Sequence, residues 1–179
     1  MQRIPAKIRK KAQKIKLLLL DVDGVLTDGG IVMNDRGEEI KRFDVRDGHG
    51  IRLLLRAGVQ VGLITGRSSK VVSHRAKDLG IRMVYQRAYD KLEVYKKIKR
   101  KVRLKDQEIA FAGDDIVDLP VLRKVGLAMT VKDCWGELKR QVDYVTAAEG
   151  GRGAVREMVE LLLKAQGKWE EITRRYYTG

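Results

Sequence analysis

The sequence predicts an α/β protein: a three-layer, Rossmann-like parallel sheet with a small β-hairpin insertion and no cap domain. Three observations predict it. Short apolar runs alternate with longer amphipathic stretches along most of the chain, the pattern of parallel strands joined by crossover helices. Polar, chemistry-bearing residues follow four of those runs directly, at the carboxyl ends where open α/β sheets build their sites. One segment, residues 30–45, breaks the alternation with two extended runs around "NDRG".

Residues 1–16 are basic, with "KIRKKAQKIK" over 7–16, and are expected to present a solvated helix face. The run Leu17–Leu20 is the first strand, apolar at every position and therefore covered on both faces. Asn34, Asp35 and Gly37 suit a tight turn, so 30–45 reads as a hairpin between the first strand and the helix over 48–56. Further strands are expected at 59–65, 82–86, 108–113, 126–131 and 142–146, with helices over 68–79, 89–102, 117–124 and 134–140 between them. The last helix runs from 154 to about 166, with Val155, Met158, Val159, Leu162 and Leu163 on one stripe. Residues 168–179 are expected to be a flexible tail reaching a neighbouring site.

Bulk properties narrow the class. At 179 residues the chain reads as a single domain, 1–179. No stretch approaches the roughly 20 apolar residues of a membrane span, and the basic start lacks the apolar core of a signal peptide. Cys134 is alone, so neither a disulfide framework nor a thiolate metal site is available. A cytoplasmic protein is expected. The net charge of +14 is spread along the sequence, with little aromatic interleaving near its densest runs. Nucleic-acid binding is therefore disfavoured, and a field that draws in anionic substrates is the better reading.

The polar strand ends carry the chemistry. The first strand delivers Asp21 and Asp23, the second Thr65, Gly66 and Arg67, a loop after the third Lys91, and the fourth Asp114, Asp115 and Asp118. Any one aspartate is ordinary as a cap or turn residue, and Asp28 reads equally as the acid that launches the hairpin. Together they form one rim. Clustered carboxylates without His or Cys partners suit a hard cation with oxygen ligands, and Mg²⁺ fits best. Thr65 and Lys91 opposite such a cation would hold phosphoryl oxygens. Carboxylates can act as nucleophiles and as proton shuttles, so the rim points to phosphoryl transfer.

"DVDGVLTD", "TGR", Lys91 and "GDD…D" resemble, in order and spacing across 17–118, the four motifs of the haloacid dehalogenase superfamily of phosphatases. The resemblance implies Asp21 as nucleophile and Asp23 as general acid/base. It implies Asp21, the backbone carbonyl of Asp23 and Asp114 as Mg²⁺ ligands, with Asp115 and Asp118 supporting the metal site and Lys91. With "DGHGI", "GDDIVDLPV" and "DYVTAAEGGRGAVREMVELLLKAQG", residues 15–168 are most similar to the 3-deoxy-D-manno-octulosonate 8-phosphate phosphatases. That family hydrolyses the 8-phosphate of an eight-carbon acid sugar used in lipopolysaccharide inner-core synthesis. Two positions depart from its pattern: Arg87 stands where glycine is usual, and Trp135–Gly136 where a His-Pro pair is common. Close relatives act on nine-carbon, sialic-acid-type sugar phosphates, and a non-catalytic oligomerisation module is a third reading. The intact set of Asp21, Asp23, Thr65, Lys91 and Asp114 speaks against the last.

Spacing leaves no room for a cap after either of the first two motifs. The family's solution is a homotetramer whose hairpins pack together and whose neighbouring subunits cover each site, and the same is expected here. Arg67 and Arg152 are candidates to pair with the sugar carboxylate, because guanidinium suits planar anions.

Overall fold

A computed structural model describes residues 4–178; positions 1–3 and 179, at the two ends of the expected basic helix and tail, lie outside the described residues. The chain runs α1 (Ala6–Ala12), β1 (Leu17–Leu20), β2 (Val32–Met33), β3 (Glu39–Ile40), α2 (Val45–Arg56), β4 (Gln60–Ile64), α3 (Lys70–Leu79) and β5 (Met83–Tyr85). It continues with α4 (Lys91–Val102), β6 (Ile109–Ala112), α5 (Leu119–Leu122), β7 (Leu127–Thr130), β8 (Tyr144–Val145), α6 (Ala154–Ala165) and α7 (Trp169–Thr173). No helix among the described residues is long and apolar enough to cross a membrane.

Six strands form one parallel sheet in the order β5-β4-β1-β6-β7-β8. From β1 the chain builds outward through β4 and β5, then returns to lay β6, β7 and β8 on the other side. The strand order therefore reverses between β1 and β6, which is where this class of sheet opens a crevice. All four leucines of β1 are fully buried, each paired with β4 on one side and β6 on the other. Burying one leucine contributes about 1.5–3 kcal/mol, so β1 is the most firmly fixed element, and Asp21 leaves its end. The ladder continues into that residue: the Asp21 amide donates to the Ala112 carbonyl at 2.9 Å.

Helix α6 packs along α2 and α1, while α4 packs on α5. Helix α2 begins earlier than periodicity predicts because Asp44 caps it, its carboxylate accepting the Arg46 and Asp47 amides at 2.7 and 3.3 Å. The helices expected over 117–124 and 134–140 are weaker than predicted. The first is a 3₁₀ turn, Ile116–Asp118, leading into the four residues of α5; the second is wholly 3₁₀, Gly136–Arg140.

The hairpin forms as expected, β2 antiparallel to β3. Asn34 Oδ1 closes its turn by accepting the Arg36 and Glu38 amides at 3.0 and 2.9 Å, an Asx-type turn. The segment 168–178 is not an extended tail. Trp169 lies under the Lys164 ammonium, 4.9 Å from its ring centre, and Thr173 is buried. Tyr176 meets His49 edge-on, with its hydroxyl 2.9 Å from Nε2. The expectation of a free tail missed that α7 has its own apolar seat, on α6.

Candidate active site

The rim expected from sequence assembles at the β1/β6 crevice. Asp21, Asp23, Thr65, Gly66, Arg67, Lys91, Asp114 and Asp115 all line one cleft of ≈ 290 Å³, joined by Ala88, Val117 and Tyr89. At its floor Lys91 Nζ bridges Asp21 Oδ1 at 2.9 Å and Asp118 Oδ1 at 2.6 Å. Lys91 is buried, as are Asp21 and Asp118. Helix α4 starts at Lys91 because Asp90 caps it, accepting the Glu93 amide at 3.0 Å, and the cap aims the lysine inward. Asp118 is fully satisfied: its second oxygen accepts the Asp114 and Asp115 amides at 3.0 and 3.3 Å. Asp115 instead caps the following turn, accepting the Ile116 amide at 2.7 Å. Support of Lys91 falls to Asp118, whereas the Asp115 carboxylate serves the backbone.

Charge at the floor is unbalanced. Asp21, Asp114 and Asp118 offer carboxylate oxygens within 4.8 Å of one another, and Lys91 is the cation among them. Burial pushes the Asp21 carboxyl above its ordinary range against the pull of Lys91, and it raises Asp114 too, helped by the Asp21 and Asp118 charges. For Lys91 burial works downward, but the Asp21 and Asp118 carboxylates outweigh it and hold the ammonium above its usual value. Two buried acids and a half-buried third against one lysine leave a deficit of positive charge, with oxygen donors alone to meet it. That donor set fits a divalent hard cation such as Mg²⁺.

Two glycines make the close packing possible. Gly24 turns with φ +92°, and a Cβ there would stand 2.0 Å from Asp114 Oδ2, so only glycine lets the turn after Asp23 lie against that carboxylate. On the far side, a Cβ at Gly150 would stand 1.9 Å from the Gly24 carbonyl oxygen. The "GGRG" block therefore buttresses the first motif from behind, which accounts for its place in the pattern. The Trp135 amide donates to the Asp114 carbonyl at 2.8 Å, bringing the second departure from the pattern beside the same acid.

The remaining predicted residues divide. Thr65 is buried at the end of β4, and its hydroxyl accepts the Arg67 amide at 3.3 Å. Arg67 lines the cleft, but its guanidinium is held by Glu39 at 2.7 Å, with Nε 3.9 Å from Asp23 Oδ2. Arg152 does not reach the cleft within one chain. The glycine turn before it packs against the first-motif loop and sends the side chain outward to Glu149 at 3.8 Å. Asp28 pairs with Arg42 and accepts the Gly30 amide at 3.3 Å, so its contacts tie down the base of the hairpin. Arg87 adopts φ +56°, the left-handed region that costs a side chain roughly 1–2 kcal/mol. The backbone there suits the glycine that the family pattern carries.

Sequence reading missed two participants. Tyr89, largely exposed, stands at the cleft mouth. Lys41, from the hairpin, ion-pairs with Asp23 and lies 3.1 Å from Glu39. Neither has a local signal, since a tyrosine before a helix and one lysine among 38 basic residues are unremarkable in sequence.

A capless α/β fold with paired aspartates after the first strand, a threonine after the second, a lysine and a third acid group defines a phosphoryl-transfer enzyme of the haloacid dehalogenase type. Comparison with known proteins sharpens this. The chain is 48% identical over 168 residues to the KdsC phosphatase of Escherichia coli (strain K12), covering 94% of this chain and 89% of the relative. The Yersinia pestis 3-deoxy-D-manno-octulosonate 8-phosphate phosphatase structure matches with TM-score 0.91 at 44% identity, covering 92% and 89% of the two chains. The Moraxella catarrhalis enzyme, solved with magnesium, phosphate and KDO, matches with TM-score 0.93 at 40% identity over 95% and 98%. No protein-family model matches the chain. The chain belongs to the 3-deoxy-D-manno-octulosonate 8-phosphate phosphatase family.

Proposed function

We propose that the protein hydrolyses 3-deoxy-D-manno-octulosonate 8-phosphate to the free sugar acid and inorganic phosphate, supplying the sugar for lipopolysaccharide inner-core assembly in the cytoplasm. The observation that carries this reading is the buried Asp21–Lys91–Asp118 cluster with Asp114 beside it, in a chain 48% identical to phosphatases of that name.

An Asp21 carboxylate oxygen attacks phosphorus, forming a P–O bond as the bond to the sugar's O8 breaks; Asp23 gives its proton to that departing oxygen. Water then yields a proton to the Asp23 carboxylate and attacks the aspartyl-phosphate phosphorus. The bond to Asp21 breaks, which frees its carboxylate and releases phosphate. Lys91 and Thr65 hold the phosphoryl oxygens throughout. Asp21, the Asp23 carbonyl and Asp114 would hold Mg²⁺, which when bound offsets repulsion between the attacking carboxylate and the phosphate. Gly66 leaves the cleft open over Thr65, and Arg67 and Arg152 are the candidate contacts for the sugar carboxylate. Arg152 would serve only from a neighbouring subunit, because it stands outside its own chain's cleft.

A homotetramer completes the reading. Ile31, Val32, Met33 and Ile40 of the hairpin are each more than half exposed, an apolar surface that a second hairpin would cover. The test is kcat/KM across eight- and nine-carbon acid sugar phosphates, with Mg²⁺ and with chelator. The eight-carbon ester should lead and chelation should abolish turnover. Equal or better hydrolysis of the nine-carbon esters would move the assignment to the sialic-acid-type substrates.

A further inference from the structure

The Lys41 ammonium is in an unusual place for a hairpin lysine. Its side chain is 1% exposed, although desolvating an ammonium costs several kcal/mol unless carboxylates compensate. Two do: Asp23 Oδ1, in direct contact, and Glu39 Oε1 at 3.1 Å. Glu39 in turn holds Arg67 at 2.7 Å. Burial would raise the Glu39 carboxyl, but hydrogen bonds from its neighbours, Arg67 and Lys41 among them, hold it down at about 2, so it stays an anion and anchors both cations. Arg67 does not substitute for Lys41 at Asp23. Its Nε is 3.9 Å from Oδ2, beyond hydrogen-bond range, and has no partner. The Asp23 carboxylate is thus held by one close side-chain donor, and that donor comes from the hairpin.

We propose that Lys41 is a positioning residue for proton transfer: its ammonium fixes the Asp23 carboxyl group at the cleft mouth, facing the departing oxygen. The hairpin then has a role within its own chain's chemistry, separate from any part in assembly. The claim rests on the reading of Asp23 as the proton shuttle.

The test uses leaving groups. kcat/KM reports steps through departure of the alcohol, and a sugar alkoxide needs a proton to leave where p-nitrophenolate, a stable anion, does not. In Mg²⁺-loaded enzyme, Lys41→Met should reduce the ratio of kcat/KM for the sugar phosphate over p-nitrophenyl phosphate on the order of 10–100-fold. Asp23→Asn should skew the ratio the same way, the double variant should add little, and Lys41→Arg should restore part of it. Lys41→Gln, which retains a polar donor for the buried site, gives the same readout if the methionine variant fails to fold. A skew for Asp23→Asn with none for Lys41→Met or Lys41→Gln overturns the Lys41 role alone. No skew for Asp23→Asn overturns the reading of Asp23 and the proposal with it.

Discussion

The central strand and the hairpin treat similar residues in opposite ways. In β1 four leucines are buried between β4 and β6, and every contact they need is supplied by the same chain. In the hairpin Val32, Met33 and Ile40 stand exposed on strands of two residues each, and an isolated two-stranded ribbon is marginal on its own. Yet both bear on the same cleft, β1 through Asp21, which lines it, and the hairpin through Lys41 and Glu39, which hold the lining residues Asp23 and Arg67. Asp21, the proposed nucleophile, leaves the element the fold fixes most firmly, and Asp23, the proposed proton shuttle, is tied to the element it fixes least. Phosphoryl attack needs a rigid carboxylate; leaving-group protonation and substrate choice are where a movable, partner-supported element can act.

That contrast predicts a graded series of effects. Leu19→Ala should destabilise the fold by about 2–5 kcal/mol, seen as a lower denaturation midpoint, because Leu19 is fully buried against Gly62. A loss under 1 kcal/mol would mean that β1 is not the anchor described.

The second effect tests the packing behind the rim. Asp47 of α2 is buried, and its carboxylate caps α6 by accepting the Arg156 and Gly153 amides at 2.6 and 3.2 Å. Burial outweighs those donors and raises its pKa from 3.8 to about 6. Between those values the native state keeps a proton that the unfolded chain has lost. The contribution is thus full below the unfolded value and lost as pH rises through the folded one. Asp47→Asn should remove a pH dependence on the order of 3 kcal/mol from stability curves measured across that window. Superimposable pH profiles for the two proteins would contradict this.

The smallest effect on stability belongs to the hairpin. Ile40→Glu should change the unfolding free energy by no more than about 0.5 kcal/mol, as exposed substitutions do, while sedimentation should show the proposed tetramer replaced by smaller species. An unchanged sedimentation coefficient would remove the hairpin from the interface.

How much of this was legible follows from the range of the interactions. Strand and helix order could be read because each run declares itself over a few residues, and the rim could be read because four strand ends carried polar residues in sequence. Lys41 could not, since it meets Asp23 only when the hairpin folds back over the sheet edge. Nor could the cap that Asp47 places on α6, more than 100 residues away, or the seat that Trp169 finds beside Lys164 and Arg156. The departure at Arg87 was visible, but its meaning was not until its left-handed backbone was known.

Asp21 is the residue proposed to carry the phosphoryl group. Quenching turnover with borohydride reduces an acyl-phosphate at a carboxylate to the alcohol, leaving homoserine at the labelled position. Peptide mass spectrometry should find homoserine at residue 21 only when enzyme, Mg²⁺ and sugar phosphate are mixed, and none in Asp21→Asn. Active enzyme that yields no modified residue 21, or one modified at another aspartate, would contradict that assignment.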